Sequence, residues 1–426
     1  MEPKTTGKTA RSPSWSELLG SDHWSGLLDP LDISLRGLLL QCGDLCQVTY
    51  DSFNSDTHSK YCGSCRYGKR TLLHDVFFPG EADYEVYDYL YATSEISVPN
   101  DMFPVHLAGD GAWSKDSNWM GYVAVSTSAG GRRVIYVVWR GTIRTLEWLD
   151  VFKPEPVEID TILSSKPVAT TSSSRVMKGW YVIYTASNAD SPYTKLSARD
   201  QLTFAIKALV EKYKEESLSI VCVGHSLGAT LAVLSAFDIV ENGLSRTGAG
   251  GATFPVCAVV FGSPQVGNRA FNQRLEKLPN LRVLQVRNKT DLIPKYPSGL
   301  LGFVDTAGTV LEVDCQKSPY LKQSSEPRDW HNLQGILHVV AGWNGTAGEF
   351  ELRVKRSVAL VNKSSEFLKD EYLVPGSWWV EKNKGMVLGA DGEWSLTPPP
   401  EGGIPTPLAL KPTGKILEEE EEQAGQ

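Results

Sequence analysis

The stretch Ile220-Val221-Cys222-Val223-Gly224-His225-Ser226-Leu227-Gly228-Ala229-Thr230 presents a serine hydroxyl in a setting where it can do chemistry. An apolar, β-branched run enters Gly-His-Ser-Leu-Gly, and an apolar helical pattern leaves it through Leu231, Val233, Leu234 and Phe237. Strand, tight turn and helix in that order are the context in which G-x-S-x-G acts as a nucleophile elbow. Such a turn strains the serine backbone and lifts its hydroxyl clear of the sheet. Gly224 and Gly228 carry no Cβ to collide where strand and helix cross. The N–H groups opening the helix point toward any oxyanion formed at Ser226. A bare five-residue match is also met in ordinary strand–helix turns; here both flanks argue against that reading.

A serine is a weak nucleophile without a base, and the base needs an orienting carboxylate. In α/β-hydrolase sheets these follow in the order Ser, acid, His. Of the seven histidines, only His225, His331 and His338 lie at or beyond the elbow. His225 sits inside the turn and reads as a packed or hydrogen-bonded elbow residue. His331, in Asp329-Trp330-His331-Asn332, precedes an apolar helix and so lies on a loop or first turn. His338 falls inside the Ile336–Val340 run, where a satisfied core or surface histidine is the plainer reading. The loop position favours His331 as the base, with His338 as the alternative. Asp291 follows the apolar strand Leu281–Val286 through Arg287–Thr290, just beyond a carboxyl end, where a carboxylate can orient an imidazole. Asp305, Asp314 and Asp329 compete, but each reads better as a solvated loop residue.

A second oxyanion donor should come from a loop after an earlier strand. Arg140-Gly141-Thr142 ends the strand Val134–Trp139. The Thr142 backbone N–H would join that of Leu227, each worth roughly 3 kcal/mol in the transition state. Residues 143–152 then form a short amphipathic stretch, either a lid over the site or a packed surface helix.

The elements that must position these groups alternate strand and helix. Met120–Ser126 and Val134–Trp139 read as strands, as do Cys257–Phe261 and Leu281–Val286 beside the elbow strand. Ser197-x-x-Asp200 is a capping box opening a helix whose apolar face is Leu202, Ala205, Ile206, Leu209 and Val210. Such alternation implies an α/β fold with a mostly parallel central sheet flanked by helices. An N-terminal arm, Trp15–Leu28, leads to a helix capped by Asp32 and carrying Leu35, Leu38, Leu39, Cys42 and Cys46. Tyr84–Tyr91 is expected to be a helix, Leu333–Val340 another, and Glu351–Leu360 a strand followed by a helix. The chain thus divides into a flexible stretch 1–14, one α/β-hydrolase domain over 15–395, and a disordered acidic tail over 396–426. The tail carries Pro398-Pro399-Pro400 and ends in Glu418–Glu422.

The bulk composition bounds the function classes. The chain has 426 residues, 41% hydrophobic and 22% charged, with a net charge of −8. That balance argues against nucleic acid as a partner. No apolar stretch reaches the length of a transmembrane segment. The N-terminus lacks the apolar core of a secretory signal; Glu2, Glu17 and brevity weigh against a transit peptide. Seven cysteines without a framework favour a reducing compartment, hence a cytoplasmic placement. Cys62-Gly63-Ser64-Cys65 has no second pair at zinc spacing and reads as loop cysteines.

Several motifs together resemble the class 3 (fungal-type) lipase family. They are Trp139-Arg140-Gly141-Thr142, Gly224-His225-Ser226-Leu227-Gly228-Ala229, Phe261-Gly262-Ser263-Pro264-Gln265-Val266-Gly267-Asn268 and Asn288-Lys289-Thr290-Asp291-Leu292-Ile293-Pro294. Trp24–Asp32 and the segment from His331-Asn332-Leu333 to His338–Gly345 resemble its plant phospholipase A1 branch, class II. The resemblance spans about residues 15–385. It implies Ser226 as nucleophile, with Asp291 and His331 completing the triad, and hydrolysis of the sn-1 acyl ester of phospholipids. Activity on galactolipids or neutral glycerides often accompanies it. No metal or organic cofactor is called for. The implied partners are a phospholipid or other glycerolipid substrate and transient peripheral contact with a membrane surface. A lipase for neutral glycerides or monoacylglycerols, and a lipase-like signalling scaffold without catalysis, are the competing readings. The intact order of Ser, Asp and His speaks against the scaffold.

Overall fold

Val134-Ile135-Tyr136-Val137-Val138-Trp139 shows no polar alternation, so a strand made from it has to be covered on both faces. A computed structural model shows how. It describes residues 11–56, 58, 59, 61–93, 118–127, 131–142, 154–164, 173–248, 250–297, 299–379 and 386–396. The chain supplies β1 (Tyr84–Ala92), β2 (Asn118–Ser126), β3 (Arg132–Trp139), β4 (Pro156–Glu158), β5 (Arg175–Met177), β6 (Ser217–His225), β7 (Val256–Phe261), β8 (Leu281–Asn288) and β9 (Thr309–Val313). Seven of them form one sheet in the order β1-β2-β3-β6-β7-β8-β9. The run from β3 to β9 is parallel, and β1 and β2 join antiparallel at one edge. This is the mostly parallel α/β-hydrolase sheet that the sequence implies.

Odd and even residues of the inner strands enter two different cores. Ile135, Val137, Trp139, Ile220, Cys222, Ala258 and Val260 face one side. There they meet α2 (Lys178–Thr185), α3 (Ala198–Lys212), α4 (Leu227–Glu241) and α5 (Arg269–Glu276). Tyr136, Val138, Val221, Val223, Val259 and Phe261 face the other, against α1 (Ile33–Ser52) and α6 (Leu333–Gly342). The elbow helix α4 is buried from Leu227 to Ile239, as an apolar pattern on all sides requires. A hydrogen bond of 3.0 Å from the Trp139 indole to Ser235 Oγ ties it to β3. Ser197 caps α3, with Asp200 N–H donating to Ser197 Oγ at 3.1 Å, but the Asp200 carboxylate takes the Ser197 hydroxyl at 2.7 Å, so only the N-cap half of the expected capping box is seen.

The N-terminal arm packs onto the body as expected. The Trp15 indole donates to Ser219 Oγ at 3.1 Å, and the Trp24 ring is fully buried. Asp32 caps α1 by accepting from the Ser34 and Leu35 N–H groups. Arg36, buried in α1, donates to the carbonyls of Val340 and Trp343 and so closes the C-terminal end of α6.

Two expectations fail. Tyr84–Ala92 is the edge strand β1, not a helix; two register shifts interrupt its pairing with β2 and blur the period-two pattern that would have announced it. Glu351–Leu360 holds no strand, and its only helical part is the start of a 3-10 helix. Its Glu351 and Arg353 N–H groups donate to Gly342 and Ala341 at the end of α6, and the 3-10 helix Val358–Asn362 begins within it. Leu396, expected in the tail, pairs with Met386 in a small hairpin. The amphipathic stretch 143–152 and the tail from 397 lie outside the described residues, as does the N-terminus through residue 10.

The α1–α6 contact offers a stability test. Leu337 is completely buried, and its side chain fills the space above Gly43, where any Cβ would overlap it. Leu337→Ala leaves a cavity that the Gly43 backbone cannot fill. It should lower unfolding free energy in a denaturant titration by about 2–5 kcal/mol, and Leu337→Met by less than about 1.5 kcal/mol.

Candidate active site

The elbow is built by close backbone approach. A Cβ on Gly224 would overlap the Gly228 carbonyl, and one on Gly228 would overlap the Trp139 carbonyl. Strands β3 and β6 can therefore lie beside the start of α4 only with glycine at both positions. Ser226, between them, has φ +59° and ψ −128°, a conformation that costs a non-glycine residue roughly 1–3 kcal/mol. It is held there by its N–H, which donates to the Phe261 carbonyl at 3.0 Å, and by its carbonyl, which accepts from the Ala229 N–H at 3.0 Å. Ser226 is fully buried, and its Oγ has no hydrogen-bond partner among the described residues. Leu227 opens α4, so its N–H has no carbonyl within its own helix to bond.

Strand β8 carries the chain to Asp291, and the short helical turn Pro327–Trp330 carries it to His331. His331 Nδ1 donates to Asp291 Oδ2 at 2.5 Å, with both side chains out of water. The other carboxylate oxygen accepts from the Ile293 N–H at 2.9 Å. A carboxylate only accepts, so Nδ1 holds the ring proton and Nε2 of the neutral ring keeps its lone pair. That Nε2 is buried and has no partner among the described residues. Gly262, at φ +54°, walls the pair: a Cβ there would lie 2.7 Å from His331 Cε1 and 3.2 Å from Asp291 Oδ2. The preceding residue, Phe261, is the one that accepts the Ser226 N–H. One turn after β7 thus borders both the serine and the imidazole.

Two side chains hold the backbone that carries His331. Asn288, at the end of β8, donates through Nδ2 to the Trp330 carbonyl at 2.8 Å. His225 bonds the His331 carbonyl through Nε2 at 2.8 Å, and its Nδ1 meets the Tyr50 hydroxyl at 2.7 Å. His225 is thus the hydrogen-bonded elbow residue that its place in the turn suggested. Burial, and then the neighbouring His331, push its pKa well below the usual imidazole value. Thr142 is buried beside the elbow, one residue beyond Gly141, which packs on the Tyr50 hydroxyl and the His225 carbonyl. The Thr142 hydroxyl has no partner among the described residues.

The competitors lie elsewhere. His338 is buried inside α6, with Nε2 bonded to Ser318 Oγ at 2.8 Å and its ring against Tyr320 and Phe350. Burial, and then Arg356, push its pKa down to about 3. Asp305 accepts from Gln265 and Arg287, Asp314 caps a turn at Gln316, and Asp329 accepts from Ser324. None of these carboxylates bonds the His331 ring among the described residues; Asp329 meets His331 only through its backbone carbonyl, which accepts the His331 N–H. Tyr50 and Asn288 are the residues the sequence did not single out. Asn288 stands at a strand end three residues before Asp291, which is a usable signal. Tyr50 carries none, since it lies 175 residues from His225.

The structure brings Asp291 and His331 together as a pair, and no hydrogen bond joins Ser226 Oγ to His331 Nε2 among the described residues; a serine, an imidazole and a carboxylate are the residue types of nucleophilic acyl transfer. A family model described as lipase (class 3) matches residues 136–300. Phospholipase A1-II 5 of Oryza sativa subsp. japonica is 60% identical over 416 residues, covering 96% of this chain and 88% of that protein. Phospholipase A1-IIdelta of Arabidopsis thaliana is 51% identical over 412 residues, covering 92% of this chain and 98% of that protein. The solved structure of Rhizomucor miehei triacylglyceride lipase aligns with 65% of this chain and 79% of its own, at 18% identity and a TM-score of 0.42. On the identity and coverage of these plant relatives, the chain belongs to the phospholipase A1-II family of class 3 lipases.

Proposed function

We propose that this protein hydrolyses the sn-1 acyl ester of phospholipids, through Ser226 as nucleophile, His331 as base and Asp291 as its orienting acid. One observation carries the reading. A buried imidazole is held by a carboxylate at 2.5 Å with its Nε2 lone pair unused, and the Phe261–Gly262 turn that walls it also accepts the N–H of a strained serine whose hydroxyl is equally unused. The names of the relatives, phospholipase A1-II, supply the substrate class and the position of attack.

Ser226 Oγ attacks the acyl carbonyl carbon while His331 Nε2 takes its proton. Asp291 stabilises the imidazolium through the Nδ1–H bond. The carbonyl oxygen becomes an oxyanion, bound by the N–H groups of Leu227 and Thr142. When the tetrahedral intermediate collapses, His331 gives its proton to the departing glycerol oxygen and the acyl group stays on Ser226. Water, deprotonated by His331, then attacks the acyl-enzyme and releases the fatty acid.

A lipid substrate has to be reached from a surface. Leu292, next to Asp291, is 63% exposed, and the Lys289 side chain on the same loop is also mostly exposed. An apolar residue beside a cation at the rim of the site suits transient contact with a bilayer surface.

Positionally labelled phosphatidylcholine tests the reaction. The expected product is fatty acid from sn-1 and a lysophospholipid that retains the sn-2 chain. Release from sn-2, or hydrolysis of neutral glycerides alone, would contradict the assignment. Ser226→Ala should remove both hydrolysis and labelling by a fluorophosphonate probe while leaving the melting temperature unchanged. His331→Ala should lose at least a thousandfold in kcat, and His338→Ala less than about tenfold. For membrane contact, Leu292→Asp should reduce turnover on phospholipid vesicles about tenfold more than turnover of a short soluble ester. Equal losses on both would rule out an interfacial role for that side chain.

A further inference from the structure

The mechanism uses His331 and the strand end carrying Thr142, but neither accounts for the pair behind them, the buried His225 and the half-buried Tyr50. Tyr50 lies in the last turns of α1, and its hydroxyl meets two things at once. One is His225 Nδ1, at 2.7 Å. The other is Gly141, whose backbone comes so close that a Cβ there would overlap the hydroxyl. On its far side His225 reaches the carbonyl of His331, and its ring lies over the His331 ring with centroids 4.6 Å apart.

The proton positions follow from the partners. A backbone carbonyl can only accept, so His225 carries its hydrogen on Nε2 and donates it to the His331 carbonyl. Its Nδ1 is then an acceptor, and Tyr50 must be the donor. Burial raises the Tyr50 hydroxyl well above its usual range, so that proton stays in place. The ring of His225 is neutral, which lets the imidazole tilted against it take up charge during turnover without a second cation at its face.

We infer that Tyr50 and His225 act as one positioning unit, which sets the base His331 and the oxyanion strand end at Thr142 relative to each other. A core histidine kept only for packing would accept any partner. Both partners here belong to the two halves of the reacting geometry. The unit deepens the serine acylhydrolase reading and rests on it, since positioning matters only if His331 works as a base.

The test compares His225→Gln, which can still donate to the His331 carbonyl, with His225→Leu, which keeps bulk and loses the donor. Tyr50→Phe removes the hydroxyl alone. On a short soluble ester, His225→Leu should lose roughly a hundredfold in kcat and Tyr50→Phe roughly tenfold, both with unchanged KM. His225→Gln should recover to within about tenfold of the parent protein. The second readout is the low-field proton resonance of the Asp291–His331 hydrogen bond, which needs no turnover. It should persist in His225→Gln and shift or broaden in the other two. Leu performing as well as Gln, or an undisturbed resonance in both His225→Leu and Tyr50→Phe, would overturn the inference. If the parent protein cleaves no ester, the hydrolase reading falls and takes the positioning role with it, whereas an active parent protein with an undisturbed resonance in both variants overturns the positioning role alone. Should His225→Leu fail to fold, Tyr50→Phe carries the test alone.

Discussion

A carboxylate and an imidazole 2.5 Å apart, both shielded from water, are expensive to assemble, and the surrounding chain is arranged to make that possible. An ionised Asp291 without partners would lose several kcal/mol on burial. It regains that through His331 Nδ1–H and the Ile293 N–H. His331 in turn sits on a short turn with little regular structure to fix it, so its backbone is fixed by side chains. Asn288 takes the carbonyl before it and His225 takes its own. The two anchors come from the carboxyl ends of β8 and β6, strands two places apart in the sheet. The sheet therefore sets the aim of the imidazole, although His331 itself belongs to no strand.

The same strand ends impose the strain at Ser226. Three stretches of backbone meet there: the end of β3, the end of β6 and the start of α4. The missing side chains of Gly224 and Gly228 set how close they come. Positive φ at a serine is tolerated because the Phe261 carbonyl and the first turn of α4 both bond it. The apolar α4, packed on all sides, is the rigid body against which this strain is held. Rigidity of that kind leaves a hydroxyl buried and unsatisfied, which an ordinary core would relax by rotating or hydrating it.

What could be read from the sequence was what is local or ordered along the chain. The elbow lies within eleven residues, and its glycines and flanking periodicities state the geometry. Asp291 was legible from its place after a strand, because parallel strands deliver their loops to one edge of the sheet. The choice between His331 and His338 rested on loop against helix. In the structure His331 is the one against Asp291, while His338 is satisfied by Ser318 inside α6. Tyr84–Ala92 misled because two bulges disturb the alternation of its tyrosines, leaving a spacing that mimics a helix. Tyr50 could not have been found this way. Its partner is contributed by a turn 175 residues away, and nothing in the helix it ends distinguishes it from a packed aromatic.

The N-terminal helix therefore has a larger part than an arm laid on a finished domain. Its first turns hold Arg36, which closes the end of α6, and its last turns hold Tyr50 and Asp51. Asp51 is buried against Lys363 at 2.6 Å, with Gln47 bonding the same carboxylate; Lys363 also lies 4.0 Å over the Trp379 ring. Burial pushes the Asp51 carboxyl up and the lysine opposes it. A buried pair of this kind adds little net stability over apolar packing, but losing one partner leaves a stranded charge. What it fixes is register: α1 can sit in only one place along α6 and the 363–379 segment. That place puts the Tyr50 hydroxyl between Gly141 and His225. The ion pair and the Arg36 cap thus locate, from both ends of one helix, a hydroxyl that no residue of the catalytic strands could supply.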